Sequence, residues 1–183
     1  LFDGRGAVAD AVVVAAGIAR MRSGRARPGI EALFEVAGRD LSSVSSTDLG
    51  FIAGPRINAA GRLDDMSIGI ECLLSDSSAD ARRFAEQLDT YNKERRVIEQ
   101  EMRDDAETLL DTDATAISDA DFAVCLHHSN WHEGVIGILA SRIRERFHRP
   151  TVIFAETSDG SLKGSGRSIK GVHLRDVLDR VAT

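Results

Sequence analysis

The sequence predicts an α/β protein in which one long helix joins a mainly helical first half to an α/β second half. A charged segment with helical periodicity spans residues 79–110. After it, two apolar runs of strand length flank an amphipathic helix. A strand–helix–strand unit implies a parallel pair of strands with a right-handed crossover. We therefore expect the sheet in the second half of the chain.

The first half contains three predicted helices. Residues 8–22 are rich in Ala and Val and keep apolar residues at helical spacing, and residues 30–36 repeat this pattern over a shorter length. Leu49–Ala53 predicts another short helix. Gly54 and Pro55 follow it, and this pair is typical of a break in a helix.

The long helix is the clearest structural prediction. Apolar residues recur at steps of three, four or seven, with one gap at Arg95, and Ser77 and Ser78 can cap its start. A helix of this length would span roughly 45–50 Å. A helix that is charged over most of its surface typically bridges two domains. The predicted parts are therefore a mainly helical first part at residues 1–78, a connecting helix at 79–111, and a second α/β domain at 112–183.

The second half is predicted to contain both strands and helices. Residues 122–126 and 151–155 are strand candidates, and residues 134–147 carry an apolar helical stripe flanked by arginines. A turn at Gly160 leads into another extended segment, and residues 172–181 predict a short last helix.

The composition excludes some classes of protein. A net charge of −6 over 183 residues argues against a protein that coats nucleic acid through counterion release, although clustered arginines leave room for a local basic groove. Cys72 and Cys125 lie far apart in apolar or strand-like contexts, which predicts reduced packing residues of a cytosolic protein. No segment resembles a membrane span. Because the chain starts without Met and stops abruptly at Thr183, we expect a piece of a longer protein.

The last predicted strand carries a candidate phosphate site. Lys163, Ser165 and Arg167 alternate along it, so their side chains project from one face. Gly164 and Gly166 lie between them and, lacking Cβ atoms, would let a ligand approach the backbone. A cation, a hydroxyl and a guanidinium together suit a phosphate group. The alternative is a Gly/Ser-rich surface hairpin with solvated charges.

A second polar signature follows Gly54. Its glycines, proline and alanines predict a tight irregular path from which Arg56, Asn58 and Arg62 could point into one cleft. Guanidinium and amide groups there would suit a nucleic-acid backbone or a scissile phosphate. The alternative is a loop between domains in which Arg62 pairs with a neighbouring aspartate.

A third candidate site precedes the helix at residues 134–147. Trp131 could stack on a base, and His132 could donate to a phosphate at the helix N-terminus. The alternative is that Trp131 is a half-buried anchor and His132 a capping residue.

Several motifs in register resemble those of the RecJ family, the single-strand-specific DNA exonucleases of the DHH phosphoesterase superfamily. Their order and spacing extend through nearly the whole chain from about Gly17 onward. The motifs are Arg27-Pro-Gly-Ile, Leu49-Gly, Gly54-Pro-Arg-Ile-Asn-Ala-Ala-Gly-Arg-Leu-Asp-Asp-Met, Trp131-His-Glu-Gly-Val-Ile-Gly-Ile-Leu-Ala-Ser-Arg-Ile, Phe147-His-Arg-Pro and Leu162-Lys-Gly-Ser-Gly-Arg-Ser-Ile.

The resemblance implies a bilobal core in which a long helix connects a DHH domain to a smaller DHHA1 domain. Residues 1–78 would then be the C-terminal part of the DHH domain, and residues 112–183 a DHHA1-like domain truncated at its C-terminus. It implies an enzyme that hydrolyses single-stranded DNA from the 5′ end and releases mononucleotides, with two Mn²⁺ or Mg²⁺ ions activating water. The implied setting is DNA repair and recombination in the cytoplasm, with a helicase and a single-strand-binding protein as candidate partners. Another DHH phosphoesterase acting on short RNA or cyclic dinucleotides, and a non-catalytic nucleic-acid-binding module, are the alternatives.

The resemblance also assigns roles to residues. Ser165 and Arg167 match the pair that binds the 5′-phosphate of the strand, and Asp10 matches a metal-binding aspartate, provided that the following loop is shortened. Arg56, Asn58 and Arg62 match residues near the scissile phosphate or the path of the DNA, and they are the candidate catalytic residues. The remaining candidates for substrate binding are Lys163, Gly166, His132 and Trp131.

The chain departs from the family pattern where most metal ligands are expected. The upstream aspartate motif and the DHH triplet are not among these residues. A glycine-glycine-histidine motif after the last helix and an OB-fold are also missing. We therefore expect this chain alone to hydrolyse DNA poorly or not at all.

Overall fold

The computed structural model describes residues 4–111 and 121–181, with the backbone alone described for residues 4–10 and 181. The chain divides into two compact units, Leu1–Glu94 and Arg95–Thr183. No helix among the described residues combines the length and apolarity needed to cross a membrane.

The first unit is helical, as predicted. Short connections separate its elements, and the glycines at 24 and 38 adopt positive φ angles at the ends of helices. The elements are α1 (Gly4–Arg22), α2 (Pro28–Val36), a 3₁₀ turn (Leu41–Ser43), α3 (Ser46–Asp48), a π-helical segment (Leu49–Ala53), α4 (Gly54–Leu63), α5 (Ser67–Leu74) and the first part of α6 (Ser78–Asp111).

The predicted break at Gly54 and Pro55 is wrong. Gly54 has right-handed helical angles, φ −54° and ψ −49°, and the π-helical segment leads directly into α4. Proline is tolerated in the first turn of a helix because the N–H that it lacks would have no helical partner there. The residues of the second polar signature therefore lie on a helix and not on an irregular path.

The first unit packs around α2, α5 and α6. Leu33, Phe34 and Leu88 are buried in its core together with Cys72, as predicted for that cysteine. A Cβ atom on Gly29 would lie 1.9 Å from the carbonyl oxygen of Cys72, so glycine is required where α2 approaches α5.

Helix α6 runs over 34 residues, Ser78–Asp111, and so confirms the predicted long helix to within one residue at each end. Its buried residues keep the helical spacing in both units, with Ala81, Ala85 and Leu88 in the first and Met102 and Ala106 in the second. The division between the compact units falls within this helix.

The second unit is the predicted α/β part. β1 (Val124–His128) pairs in parallel with β2 (Thr151–Glu156), and β2 pairs antiparallel with β3 (Leu162–Arg167). α7 (Ile136–Phe147) connects the parallel strands, and α8 (Leu174–Val181) follows β3. The side chain of Cys125 on β1 is exposed, so the prediction that both cysteines are packing residues is wrong for this one.

α7 packs against β2 and β3. It buries Ile136, Leu139, Ala140 and Ile143, which recur at the spacing of one helical face. His148 ends the helix in the left-handed conformation, with φ 52°. The first turns of α7 lie over the strand that carries the candidate phosphate site.

Candidate functional site

Ser165 and Arg167 lie side by side on β3, and their alternation places them on the face that α7 covers. The Nη1 atom of Arg167 donates to Ser165 Oγ at 3.1 Å and to the carbonyl oxygen of Gly166 at 2.8 Å. The Nε atom donates to Ser141 Oγ on α7 at 2.9 Å. The structure thus confirms the predicted strand and the shared face of these side chains.

The first two turns of α7 complete this cluster. Ser141 Oγ donates to the carbonyl oxygen of Gly137 at 3.1 Å. A Cβ atom on Gly137 would lie 2.9 Å from Nη2 of Arg167 and 3.1 Å from Ser165 Oγ. Sequence reasoning missed Gly137 and Ser141; their signal is a pair of small residues four apart on one face of an amphipathic helix.

Arg167 is half-buried, and within the described residues it contacts no carboxylate. All three of its hydrogen-bond acceptors are neutral oxygens. A guanidinium carries a positive charge, and none of these neutral contacts compensates it. An arginine held by neutral groups beside a serine hydroxyl is arranged to accept an anionic ligand such as a phosphate.

Lys163 extends the same face of β3 towards the loop before α7. Its Nζ atom lies 2.7 Å from a carboxylate oxygen of Glu133, and the two side chains are 59% and 43% exposed. Exposed ion pairs contribute little free energy, so this pair does not prevent Lys163 from contacting a ligand.

Gly164 and Gly166 do not leave bare backbone open to a ligand on the opposite face of β3, contrary to prediction. A Cβ atom on Gly164 would lie 2.6 Å from the ring of Phe154, its cross-strand partner. A Cβ atom on Gly166 would lie 2.6 Å from a methyl group of Leu174. These glycines make room for apolar side chains, and Gly166 meets Arg167 through its carbonyl oxygen.

The structure corrects the prediction for Trp131. Only 2% of this residue is exposed, so its ring is not accessible for stacking on a base. Its Nε1 atom donates to Asp105 on α6 at 3.3 Å. Trp131 therefore anchors the start of α7 to α6. The alternative prediction of an anchor is correct, but the residue is buried and not half-buried.

His132 acts as a cap in this structure. Its Nδ1 atom accepts a hydrogen bond from the backbone N–H of Gly134 at 3.0 Å, which stabilises the turn before α7. The capping interpretation is therefore correct for Nδ1. If His132 also binds the substrate, the contact would be made by Nε2.

The structure does not bring Arg56, Asn58 and Arg62 to one cleft. On α4, Asn58 and Arg62 are four residues apart and share a face, whereas Arg56 is rotated by about 160° from Asn58. Asn58 is exposed. The predicted convergence depended on an irregular path, and the regular helix separates Arg56 from Asn58 and Arg62.

Arg56 is instead part of a buried ion pair in the first unit. Its Nε and Nη2 atoms lie 2.9 and 2.8 Å from Asp89, and Nη1 donates to the carbonyl oxygen of Ile52 at 2.8 Å. Burial tends to raise the pKa of Asp89, but hydrogen bonds from Lys93 and Arg56 outweigh it and hold that pKa below its usual value. Arg56 therefore stabilises the fold, and a catalytic role for it is not supported.

The residues that the structure describes do not fit a two-metal centre. Among them, no group of three or more His, Cys, Asp or Glu side chains is placed to hold a metal ion. Asp10 lies within α1, with its side chain outside the described part of the structure, so its role as a ligand stays a prediction.

Comparisons with known proteins find similarity to the same family along most of the chain. Residues 119–183 match the DHHA1 domain. The chain is 50% identical to the single-stranded-DNA-specific exonuclease RecJ of Escherichia coli K12 over 97% of its own length and 32% of that protein. It is 32% identical to RecJ of Bacillus subtilis 168, of which it covers 21%. The chain thus spans a third or less of these relatives.

Comparison with solved structures also gives members of the RecJ family. RecJ from Thermus thermophilus in complex with Mg²⁺ superposes with a TM-score of 0.74 at 30% identity, over 90% of this chain and 24% of that one. A manganese-bound exonuclease RecJ gives a TM-score of 0.71 at 30% identity, over 88% of this chain and 38% of that one. The predicted resemblance to the RecJ family and the predicted α/β fold are confirmed.

Proposed function

This chain is part of a RecJ-family protein, and on that premise we propose that it forms the central part of a metal-dependent 5′→3′ exonuclease of single-stranded DNA. The reaction is hydrolysis of phosphodiester bonds with release of mononucleotides. The observation that carries the proposal is the uncompensated guanidinium of Arg167, held beside Ser165 by neutral oxygens alone.

Ser165 and Arg167 bind the 5′-terminal phosphate of the strand. A terminal phosphate carries more negative charge than an internal phosphodiester, so the uncompensated charge of Arg167 favours the strand end. The hydroxyl of Ser165 supplies a further hydrogen bond, and Lys163 adds a charge at the exposed edge of the site. Binding of the 5′ end in this way positions the first phosphodiester for cleavage.

Asn58 and Arg62 are proposed to contact the DNA from the first unit, because they share one face of α4. Mn²⁺ or Mg²⁺, the ions named for the similar solved structures, are the proposed cofactors. They would activate water against the phosphodiester. Since the described residues do not form their site, we expect the ligands in the rest of the protein and in Asp10.

The cellular role follows from this activity. An enzyme that digests single strands from the 5′ end serves DNA repair and recombination in the cytoplasm of the cell. A helicase that unwinds the duplex and a protein that binds single strands are the proposed partners, because they supply and present the substrate.

The test uses the full-length protein that contains this chain, with Mn²⁺ present and with the metal chelated. We expect mononucleotides to be released from the 5′ end of long single-stranded DNA, at a higher rate than from dinucleotides, and only with metal. This chain alone should release far less, because most metal ligands are outside it.

Other outcomes would contradict the proposal. Preference for short RNA or cyclic dinucleotides would indicate a different DHH phosphoesterase. Salt-dependent binding of DNA without metal-dependent turnover would indicate a binding module. Robust turnover by this chain alone, free of contaminating nuclease, would show that its own residues complete the metal site.

A further inference from the structure

We infer that Gly137 and Ser141 on α7 are positioning residues that hold the guanidinium of Arg167 with one nitrogen directed to the phosphate. The inference rests on the proposed function of Ser165 and Arg167. It adds α7 to the site and explains why small residues stand four apart on that helix.

The hydrogen bonds of Arg167 leave one nitrogen for a ligand. A guanidinium has five N–H groups. Nε uses one on Ser141, and Nη1 uses two on Ser165 and on the carbonyl oxygen of Gly166. The two N–H groups of Nη2 remain, and each can donate a charge-assisted hydrogen bond to a phosphate oxygen.

Ser141 fixes the orientation of this fork. Its hydroxyl hydrogen is committed to the carbonyl oxygen of Gly137 at 3.1 Å, so its oxygen lone pairs face Nε of Arg167 at 2.9 Å. Because Nε is the nitrogen nearest the flexible stem, a bond to it fixes the direction of the whole guanidinium plane. Without the hydroxyl, the plane could rotate away from the phosphate.

Gly137 keeps the space beside the remaining nitrogen. A Cβ atom there would lie 2.9 Å from Nη2 and 3.1 Å from Ser165 Oγ, closer than side chains normally pack. Glycine is unfavourable inside a helix relative to alanine, so its presence in the first turn of α7 calls for a reason. The nearest atom that alanine would displace is the end of a flexible side chain, so the helix itself can tolerate the substitution.

The test measures equilibrium binding of 5′-phosphorylated and 5′-hydroxyl single-stranded DNA of one sequence to the full-length protein with metal chelated. The quantity of interest is the ratio of the two dissociation constants, together with the melting temperature. Arg167→Ala is the reference that removes the site. Gly50→Ala is the matched control, because a Cβ atom at this helical glycine would meet nothing within 4 Å.

Gly137→Ala should abolish most of the preference for the phosphorylated end while leaving the melting temperature unchanged or higher. Ser141→Ala should reduce the preference roughly 3- to 10-fold, the effect of one lost hydrogen bond. Ser141→Thr retains the hydroxyl and should restore the preference, since Thr can make the same bond to the carbonyl four residues earlier.

The outcomes separate this inference from the function on which it rests. If Arg167→Ala loses the preference while Gly137→Ala and Ser141→Ala keep it, the positioning role is wrong and the phosphate site stands. If Arg167→Ala keeps the preference, both are wrong. Equal losses in Ser141→Ala and Ser141→Thr would also overturn the role of the hydroxyl.

Discussion

Individual arginines have opposite roles in the two units, and their acceptors distinguish them. Arg56 contacts a buried carboxylate and is neutralised by it. Arg167 contacts three neutral oxygens and keeps its charge. Both residues stood out in the sequence as candidates for phosphate binding, since an arginine in a glycine-rich segment looks the same whatever its partners are. The partners come from elements distant in sequence, Asp89 on α6 and Ser141 on α7.

The ion pair of Arg56 gives a prediction for stability. Asp89→Ala should lower the free energy of unfolding of the protein by about 3–5 kcal/mol, because it leaves a buried guanidinium without a counter-charge. Lys93→Ala is the control; its side chain is 74% exposed, and the loss should be below about 1 kcal/mol. Urea unfolding at neutral pH measures both, and equal effects of the two variants would argue against a structural role for Arg56.

The same pair predicts how stability depends on pH. The pKa of Asp89 is lowered in the folded protein, so its contribution is complete above the unfolded pKa of about 4 and is lost as pH falls through the folded value. The stability of the parent protein should therefore fall between neutral and acidic pH. In Asp89→Ala, the part of this fall that comes from protonation of Asp89 should be absent. An unchanged pH dependence would contradict the lowered pKa.

At the scale of elements, periodicity predicted most of the fold. α6 was predictable because its apolar spacing persists over many turns, and the strand–helix–strand unit followed from apolar runs around an amphipathic helix. The continuous junction between the π-helical segment and α4 was not predictable from the sequence. Gly and Pro together indicate a break in a helix unless the proline lies in the first turn of a new helix. Placing Arg56, Asn58 and Arg62 in one cleft failed for the same reason.

The candidate site was predictable only where one strand determines it. The period of two along β3 places Ser165 and Arg167 on one face, and the structure confirms this. Gly137 and Ser141 were missed because their contribution depends on how α7 packs over the strand. Trp131 could not be judged from sequence, since tryptophan before a helix is equally compatible with burial and with exposure.

The two faces of β3 should respond differently to substitution. Gly164→Ala would place a Cβ atom 2.6 Å from the ring of Phe154 on the face opposite Arg167. We expect a loss of stability of about 1–3 kcal/mol from overpacking, with the preference for a 5′-phosphate unchanged. Thermal unfolding measures the stability, and the ratio of the dissociation constants for 5′-phosphorylated and 5′-hydroxyl DNA measures the preference. Loss of the preference without loss of stability would place a ligand against the backbone of Gly164 after all.

At the scale of the whole molecule, the proposed function makes this chain one part of a larger active site. It contains the proposed 5′-phosphate site, whereas its described residues lack a metal site. On the proposed function, we expect recognition of the strand end and hydrolysis of the bond to depend largely on different residues of the protein. The two functions should be separable by mutation, with substitutions at Arg167 changing which ends are used and leaving metal binding intact.

The most direct measurement is the rate of hydrolysis of 5′-phosphorylated and 5′-hydroxyl single-stranded DNA by the full-length protein and by its Arg167→Ala variant. Arg175→Ala on α8 is a suitable control, since this exposed arginine pairs with Asp179. We expect the parent and the control to prefer the phosphorylated end, and Arg167→Ala to lose a preference worth about 1–3 kcal/mol. An undiminished preference in Arg167→Ala would contradict the proposed site.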